Sequence, residues 1–139
     1  MSGALDLAAT NRGIAAALVT AGIADTGYAW PSEGAVAGDA VVGYPDAIDF
    51  DLTYGRGGDR ARIPVWVLCG LIADESTLDA ISALLDSGAA AVKDALEGTT
   101  LSGAVSSIRA TNATVMPYTV GTKTPITYLS VRFDLDIIT

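Results

Sequence analysis

The sequence predicts an α+β fold: a mostly antiparallel sheet with an N-terminal helix and a long central helix packed on one face. Two segments with the periodicity of an amphipathic helix each precede segments in which apolar residues alternate, an order typical of α+β domains. The chain has 139 residues, of which 50% are hydrophobic and 17% are charged. This length and composition predict one folded domain over residues 1–139.

Residues 5–21 predict the N-terminal helix. Leu7, Ile14 and Leu18 recur at helical spacing and share one face. Gly22 follows the last apolar positions and is placed to end the helix. The segment is rich in alanine, which allows close packing against a neighbour.

Two strands are predicted after a loop over residues 27–43 that contains short extended pieces. Residues 46–54 alternate, with apolar side chains on one face and Asp49 and Asp51 on the other. Residues 62–71 are apolar on both faces. Such a strand is either covered on both sides or uses its second face to meet another subunit.

The clearest helical pattern covers residues 74–96. Its apolar stripe consists of Leu78, Ile81, Leu85, Val92 and Leu96. Gly98 is well placed as the C-terminal stop. We therefore expect one long helix whose stripe packs against the sheet.

The last part of the sequence predicts strands over 104–118 and 126–137. The second of these alternates over its whole length, with Arg132, Asp134 and Asp136 on the outward face. Its inward face carries only apolar residues, as expected for one side of an antiparallel sheet.

The sequence lacks the residues that most enzymes and metal sites use. It has no histidine and a single cysteine, Cys69, which removes the usual catalytic triads, zinc sites and any intrachain disulfide. The carboxylate pairs Asp49 with Asp51 and Asp134 with Asp136 are interpreted as solvated strand faces. We therefore predict a non-enzymatic protein with no catalytic residue, no metal and no cofactor.

The charge balance restricts the possible partners. Eight basic and 16 acidic residues give a net charge of −8, which is poorly suited to tight binding of nucleic acid or anionic lipid. An acidic surface suits a channel through which DNA slides, because like charges repel. The beginning of the sequence has no signal-peptide pattern, and the apolar stretch 13–24 is too short to cross a bilayer.

The main basic cluster consists of Arg56, Arg60 and Arg62, in a glycine-rich connection between two predicted strands. It would contact an acidic neighbour or DNA phosphates, or it forms a solvated hairpin tip. Trp66 lies on the second face of its strand and is a candidate interface anchor. These four residues are the candidate assembly contacts.

Six segments carry a resemblance to a known family. They are Pro-Asp-Ala-Ile-Asp-Phe-Asp, Gly-Arg-Gly-Gly-Asp-Arg, Ile-Pro-Val-Trp-Val-Leu-Cys-Gly, Ala-Leu-Glu-Gly at the end of the central helix, Thr-Leu-Ser-Gly-Ala-Val after it, and the final Tyr-Leu-Ser-Val-Arg-Phe-Asp-Leu-Asp-Ile. Together with the alanine-rich first helix, this layout resembles the tail terminator proteins of siphophages, particularly those that infect actinobacteria.

The resemblance implies a hexameric ring that caps the completed tail tube, stops its polymerisation and joins it to the head connector or stopper protein. It also implies a virion protein at the head-proximal end of the tail, assembled in the host cytoplasm. DNA would pass through the lumen without specific binding. The family contributes no catalytic residues and no cofactor.

Three other functions remain open at this point. Another head–tail joining protein or a tail tube protein would share the same ring architecture. A small dimeric ligand-binding α+β domain would need a pocket with converging polar groups. A carboxylate-dependent enzyme would depend on Asp49 and Asp51.

Overall fold

A computed structural model of the chain describes residues 6–31, 34–49, 59–71, 75–85, 96, 107–121, 123 and 125–138. Within them lie α1 (Leu7–Thr20), β1 (Gly27–Tyr28), β2 (Ala40–Val42), β3 (Ala47–Asp49), β4 (Arg60–Leu71), α2 (Glu75–Leu85), β5 (Ser107–Val120) and β6 (Ile126–Ile138). The predicted first helix and the predicted strands over 62–71 and 126–137 are confirmed, with small shifts at their ends. The strand predicted over 46–54 is described only as far as Asp49, and Gly98 lies outside the described residues.

The described strands form one six-stranded sheet. Its order is β1-β2-β4-β6-β5, and β3 also pairs with β4. β1 and β2 run parallel, whereas the other pairs are antiparallel. The long strands β4 and β6 therefore form the centre of the sheet, and β5 lies at one edge of this arrangement.

Pro64 lies within the central strand β4, an unusual position for a residue without an amide hydrogen. On one side β4 pairs with β6 along its length. On the other side β2 pairs with residues 65–67 and β3 pairs with residues 60–62. Pro64 therefore lies at the gap between the two short partner strands, beyond the paired residues of both. Its carbonyl accepts a hydrogen bond from the Gly43 amide at 2.8 Å.

Both described helices contribute to the core on one side of the sheet. α1 contacts β1 and β2, and α2 contacts β4 and β6. The core they share with the strands contains Ile14, Leu18, Ile63, Val65, Val67, Ile81, Leu96, Val131, Phe133, Leu135 and Ile137. No helix in the described part of the chain is long and apolar enough to cross a membrane.

The ends of α1 follow from local chemistry. The Asp6 carboxylate accepts a hydrogen bond from the Ala9 amide at 3.1 Å and caps the first turn. Gly22 follows the helix with a φ of 78°, a conformation that glycine adopts readily. Its amide donates to the Val19 carbonyl at 3.1 Å. The predicted stop at Gly22 is confirmed.

A buried amide fixes α1 to the neighbouring strands. The Asn11 Nδ2 donates to the carbonyl of Ala29 at 3.1 Å and to that of Gly43 at 3.2 Å. One polar side chain therefore satisfies two carbonyls near the ends of β1 and β2. The alanine-rich sequence of α1 permits this close approach.

The fold prediction is wrong in one central respect: the described residues contain no long central helix. They contain two short helices and are 49% strand and 26% helix. The helix predicted over 74–96 is described as α2, with 11 residues. Residues 86–95 lie outside the described part of the structure. The strand-rich sheet, rather than a helix layer, dominates the architecture.

The predicted apolar stripe is confirmed at Ile81 and Leu96, which are buried, and is wrong at Leu78 and Leu85. Val92 lies outside the described residues. Ile81 is buried, as is Thr77 one turn earlier, so these two residues mark the side of α2 that faces the sheet. Leu78 and Leu85, which were expected in the core, are exposed. A leucine at a helical spacing can lie on either flank of the buried face, and periodicity alone does not fix which one.

Candidate assembly interface

The sheet has a second side, away from α1 and α2, which we call the outer face. Alternate residues of β4, β5 and β6 project from it in rows across the three strands. In the order β4, β6, β5, these rows are Arg62–Asp136–Arg109, Pro64–Asp134–Asn112, Trp66–Arg132–Thr114 and Leu68–Ser130–Met116. The outer face is thus charged towards one end and aromatic or apolar towards the other.

The apolar end of the outer face is covered by the chain itself. Ala35, Val41, Leu68, Val120 and Tyr128 form a small buried cluster, and Tyr28, Trp66 and Tyr118 pack against it while partly exposed. The cover comes from the segment that carries Ala35, and neither described helix takes part. On the second face of β4, Leu68 is therefore buried and Trp66 is partly exposed.

Trp66 is held in place from three directions. Its ring lies against Gly43, where an added Cβ would come within 2.5 Å of the Trp66 Cζ3 atom. The Tyr118 ring lies 5.2 Å away, centroid to centroid, and the Arg132 guanidinium lies 5.5 Å from the Trp66 centroid. Burial also raises the pKa of the Tyr118 hydroxyl. A tryptophan fixed in this way presents a rigid, half-exposed surface.

Arg132 connects the aromatic and charged parts of the outer face. Its Nη2 lies 2.6 Å from the Asp46 Oδ2, and its Nε lies 2.9 Å from the Asp134 Oδ1. The same guanidinium stacks over Trp66. Sequence reasoning placed Arg132 only on an outward strand face, because its contacts depend on a register between distant strands.

The predicted basic cluster divides into residues with different environments. The Arg60 Nε and Nη2 lie 2.8 and 2.9 Å from the two carboxylate oxygens of Asp136, a bidentate pair that links β4 to β6. Arg62 is exposed and makes no ion pair within the described part of the chain. Arg56 lies outside the described residues.

A groove of about 400 Å³ runs along the charged end of the outer face. Three arginines and three aspartates contribute to its lining: Arg60, Arg62, Arg132, Asp46, Asp134 and Asp136. The positive and negative charges of these six side chains are equal in number. Arg60 and Arg132 form ion pairs, whereas Arg62 forms none within the described ranges. Arg62 is therefore the guanidinium of this groove that is exposed to solvent without an ion pair among the described residues.

Two of the four aspartates considered as candidate catalytic residues form ion pairs in the structure. Asp134 and Asp136 were interpreted as a solvated strand face, but each forms an ion pair with an arginine. The side chain of Asp49 and the whole of Asp51 lie outside the described part of the structure. Within the part of the chain that the structure describes, no three metal-binding side chains lie close together.

A second depression of about 380 Å³ lies beside α1 and β1. Arg12, Val19 and Trp30 contribute to its lining, and Trp30 meets Tyr28 edge-on at a centroid distance of 6.4 Å. This depression is separate from the outer face and provides positions for control substitutions.

Cys69 is expected to react slowly with thiol reagents in the folded chain. Burial raises the pKa of its thiol from 9.0 to about 11, partly offset by a hydrogen bond from the Val131 backbone. The reactive thiolate is therefore scarce near neutral pH. The rate of reaction with a chromogenic disulfide, compared with the rate in denaturant, measures this effect. Equal rates in the two states would contradict the buried environment.

The same pKa shift predicts a pH dependence of stability. The folded chain holds the thiol proton more tightly than the unfolded chain does. The contribution of Cys69 is therefore fully present below pH 9.0 and is lost as the pH rises through about 11. Cys69→Ser should remove this part of the alkaline profile, and an unchanged profile would show that Cys69 is not its source.

Comparison with known proteins identifies no family. No protein-family model matches the sequence, and no curated protein matches it significantly. The resemblance to tail terminators therefore stays a prediction from the pattern of the sequence.

Proposed function

We propose that this chain is a structural virion protein that forms a ring, caps the tail tube of a siphophage and terminates its polymerisation. The ring also joins the tail to the head connector. The observation that carries the proposal is the outer face of the sheet. There a partly exposed Trp66 lies beside Arg132, and neither described helix covers it. Tryptophan and arginine are the residues most enriched at the energetic centres of protein interfaces.

The outer face and the helix-bearing side of the sheet are two different surfaces of the subunit, so the outer face of one copy can contact a different surface of the next. A contact between two different surfaces is head-to-tail, and it closes into a ring when the rotation per subunit closes. We infer a hexamer whose two ends meet the tail tube protein and the head connector or stopper protein. Its location would be the head-proximal end of the tail, after assembly in the host cytoplasm.

The charges support a lumen that lets DNA pass without specific binding. The net charge is −8. Arg60 and Arg132 on the outer face are already paired with carboxylates. Tight DNA binding requires several cations that exchange counterions for phosphates. No membrane association, catalytic activity or cofactor forms part of the proposal.

A small dimeric ligand-binding domain is the alternative from a different class, and the groove of about 400 Å³ favours it. Ligand pockets are mostly apolar, with a few convergent polar groups. The arginines and aspartates of this groove largely neutralise one another. A neighbouring neck protein or a tail tube protein would use the same kind of ring and differ only in what it contacts.

The proposed function is tested by the length of tail tubes. The tail tube protein encoded in the same genome is polymerised with and without this chain, and the tubes are measured by electron microscopy. We expect shorter tubes with added density at one end, because a ring on the growing end blocks further addition. The Arg62→Glu variant should cap less well than the Arg12→Glu variant, which carries the same charge change away from the outer face. Unchanged lengths and bare ends would refute the proposal.

A further inference from the structure

α2 carries two leucines in contact with solvent. Leu78 is 65% exposed and Leu85 is 50% exposed. They are seven residues apart and lie on one face of the helix. The adjoining face, marked by the buried Thr77 and Ile81, contacts the sheet, so the two leucines flank the buried side of α2. Two large apolar side chains on one helix face commonly mark a contact surface.

Acidic residues flank these leucines. Glu75 and Asp79 are exposed and lie one helical turn apart. At about 100° per residue, they and the two leucines fall within roughly a third of the circumference of the helix. We call this surface, made of Glu75, Leu78, Asp79 and Leu85, the α2 stripe. It combines apolar contact area with negative charge.

The outer face has the complementary character. It presents the partly exposed rings of Trp66 and Tyr118. It also presents the exposed Arg62 and Arg109, which lie in one cross-strand row on either side of Asp136. Arg62 has no carboxylate partner within the described ranges. The apolar and charged parts of the outer face thus match the two parts of the α2 stripe.

The two surfaces lie on opposite sides of the same subunit. α2 packs on β4 and β6 from the helix side of the sheet, whereas Trp66 and Arg62 project from the other side. The α2 stripe therefore cannot contact the outer face of its own subunit. A second copy can do so, because every copy carries both.

We propose that the α2 stripe of one copy docks on the outer face of the next copy. Leu78 and Leu85 pack against Trp66 and Tyr118, and the carboxylates beside them lie near Arg62. This inference rests on the proposed ring function and names the two surfaces that build the ring. The contact is head-to-tail, since it joins two different surfaces, and it leaves one free copy of each surface until the ring closes.

Two variants test the contact, each altering one surface at exposed positions. The stripe variant combines Leu78→Lys with Leu85→Lys, and the face variant combines Arg62→Glu with Arg109→Glu. Sedimentation velocity over a concentration series should show the wild-type chain associating. Each variant alone should associate at least about tenfold more weakly. Thermal unfolding of both variants verifies that they remain folded.

Mixing the two variants gives the most specific readout. The face variant keeps an intact stripe and the stripe variant keeps an intact outer face, so one native contact can form between them. We expect a dimer and nothing larger. Val19→Lys serves as the control for the stripe, and Arg12→Glu with Lys123→Glu as the control for the outer face. All three positions are exposed, and these changes should leave association unaltered.

The outcomes separate this inference from the proposed function. Folded variants that associate like the wild type, or a mixture that yields no dimer or grows beyond one, would overturn the α2 stripe contact. A wild-type chain that stays monomeric at its highest soluble concentration would also overturn it. In each of these cases the tail-tube measurement still decides whether the chain caps tubes.

Discussion

Replacing Leu18 with alanine is expected to lower the free energy of unfolding by about 2–5 kcal/mol. Leu18 is 0% exposed and belongs to the core that α1 shares with the sheet. The substitution removes buried apolar contacts and leaves a cavity that the rigid sheet cannot fill. Urea denaturation followed by circular dichroism measures the loss, and an unchanged m-value shows that the transition stays comparable.

The neighbouring residue provides a matched control for this change. Val19 follows Leu18 on α1 and is 39% exposed. Val19→Ala should therefore cost less than about 1 kcal/mol. A similar loss for both substitutions would mean that α1 does not pack on the sheet through the Leu18 side of the helix.

Replacing Gly27 with alanine is expected to lower the free energy of unfolding by about 1–3 kcal/mol. A Cβ at Gly27 would lie 2.6 Å from the Ala15 carbonyl oxygen and 2.9 Å from the Ala15 Cβ. The carbonyl belongs to the backbone of α1, so the clash is relieved only if the helix moves away from β1. Such a movement would also strain the hydrogen bonds from Asn11 that tie α1 to the strands.

The control for Gly27 is Thr26→Ala, an adjacent exposed position. Its expected effect is within about 0.5 kcal/mol. The comparison uses thermal and urea unfolding of the two variants side by side. Full stability of Gly27→Ala would show that α1 lies farther from β1 than the structure places it.

Much of the strand content could be predicted because alternation reports burial directly. Burial alternates along β6 from Val131 onward, and its inward residues Val131, Leu135 and Ile137 all lie in the core. The outward-facing Tyr128 and Ser130 are also buried, which alternation did not predict. β4 was expected to be apolar on two faces. The structure explains this through the core on one side and the small cluster around Leu68 on the other.

The central helix could not be predicted correctly from the same kind of pattern. The apolar residues between 78 and 96 fit a single long stripe, but burial follows Ile81 together with the polar Thr77. Thr77 donates a hydrogen bond to the Leu71 carbonyl at 2.8 Å. A polar residue that finds a backbone partner can occupy a core position, and hydrophobic periodicity does not detect it.

The candidate interface depended on strand register that the sequence does not contain. Arg60 and Arg62 look equivalent in the sequence, yet Arg60 reaches Asp136 in the last strand while Arg62 does not. Arg132 acquires its contacts with Trp66 and Asp46 only because β4 pairs with β6. The sequence alone identified the basic cluster and Trp66 as candidates. Only the pairing of distant strands distinguishes Arg60, which forms an ion pair across the sheet, from the exposed Arg62.

If the α2 stripe of one copy docks on the outer face of the next, as proposed, the assembly grows until the contacts close. An apolar stripe on α2 and a partly open aromatic face on the sheet would lead to open chains if the rotation per subunit were wrong. A tail-capping function requires closure, because an open filament cannot stop the growth of a tube. The proposed function therefore requires a closed ring of defined stoichiometry.

Native mass spectrometry of the purified chain, alone and mixed with the tail tube protein of the same genome, tests that requirement most directly. We expect the mass of a hexamer in at least one of the two samples, with no series of larger species. A chain that remains strictly monomeric in both samples would contradict it.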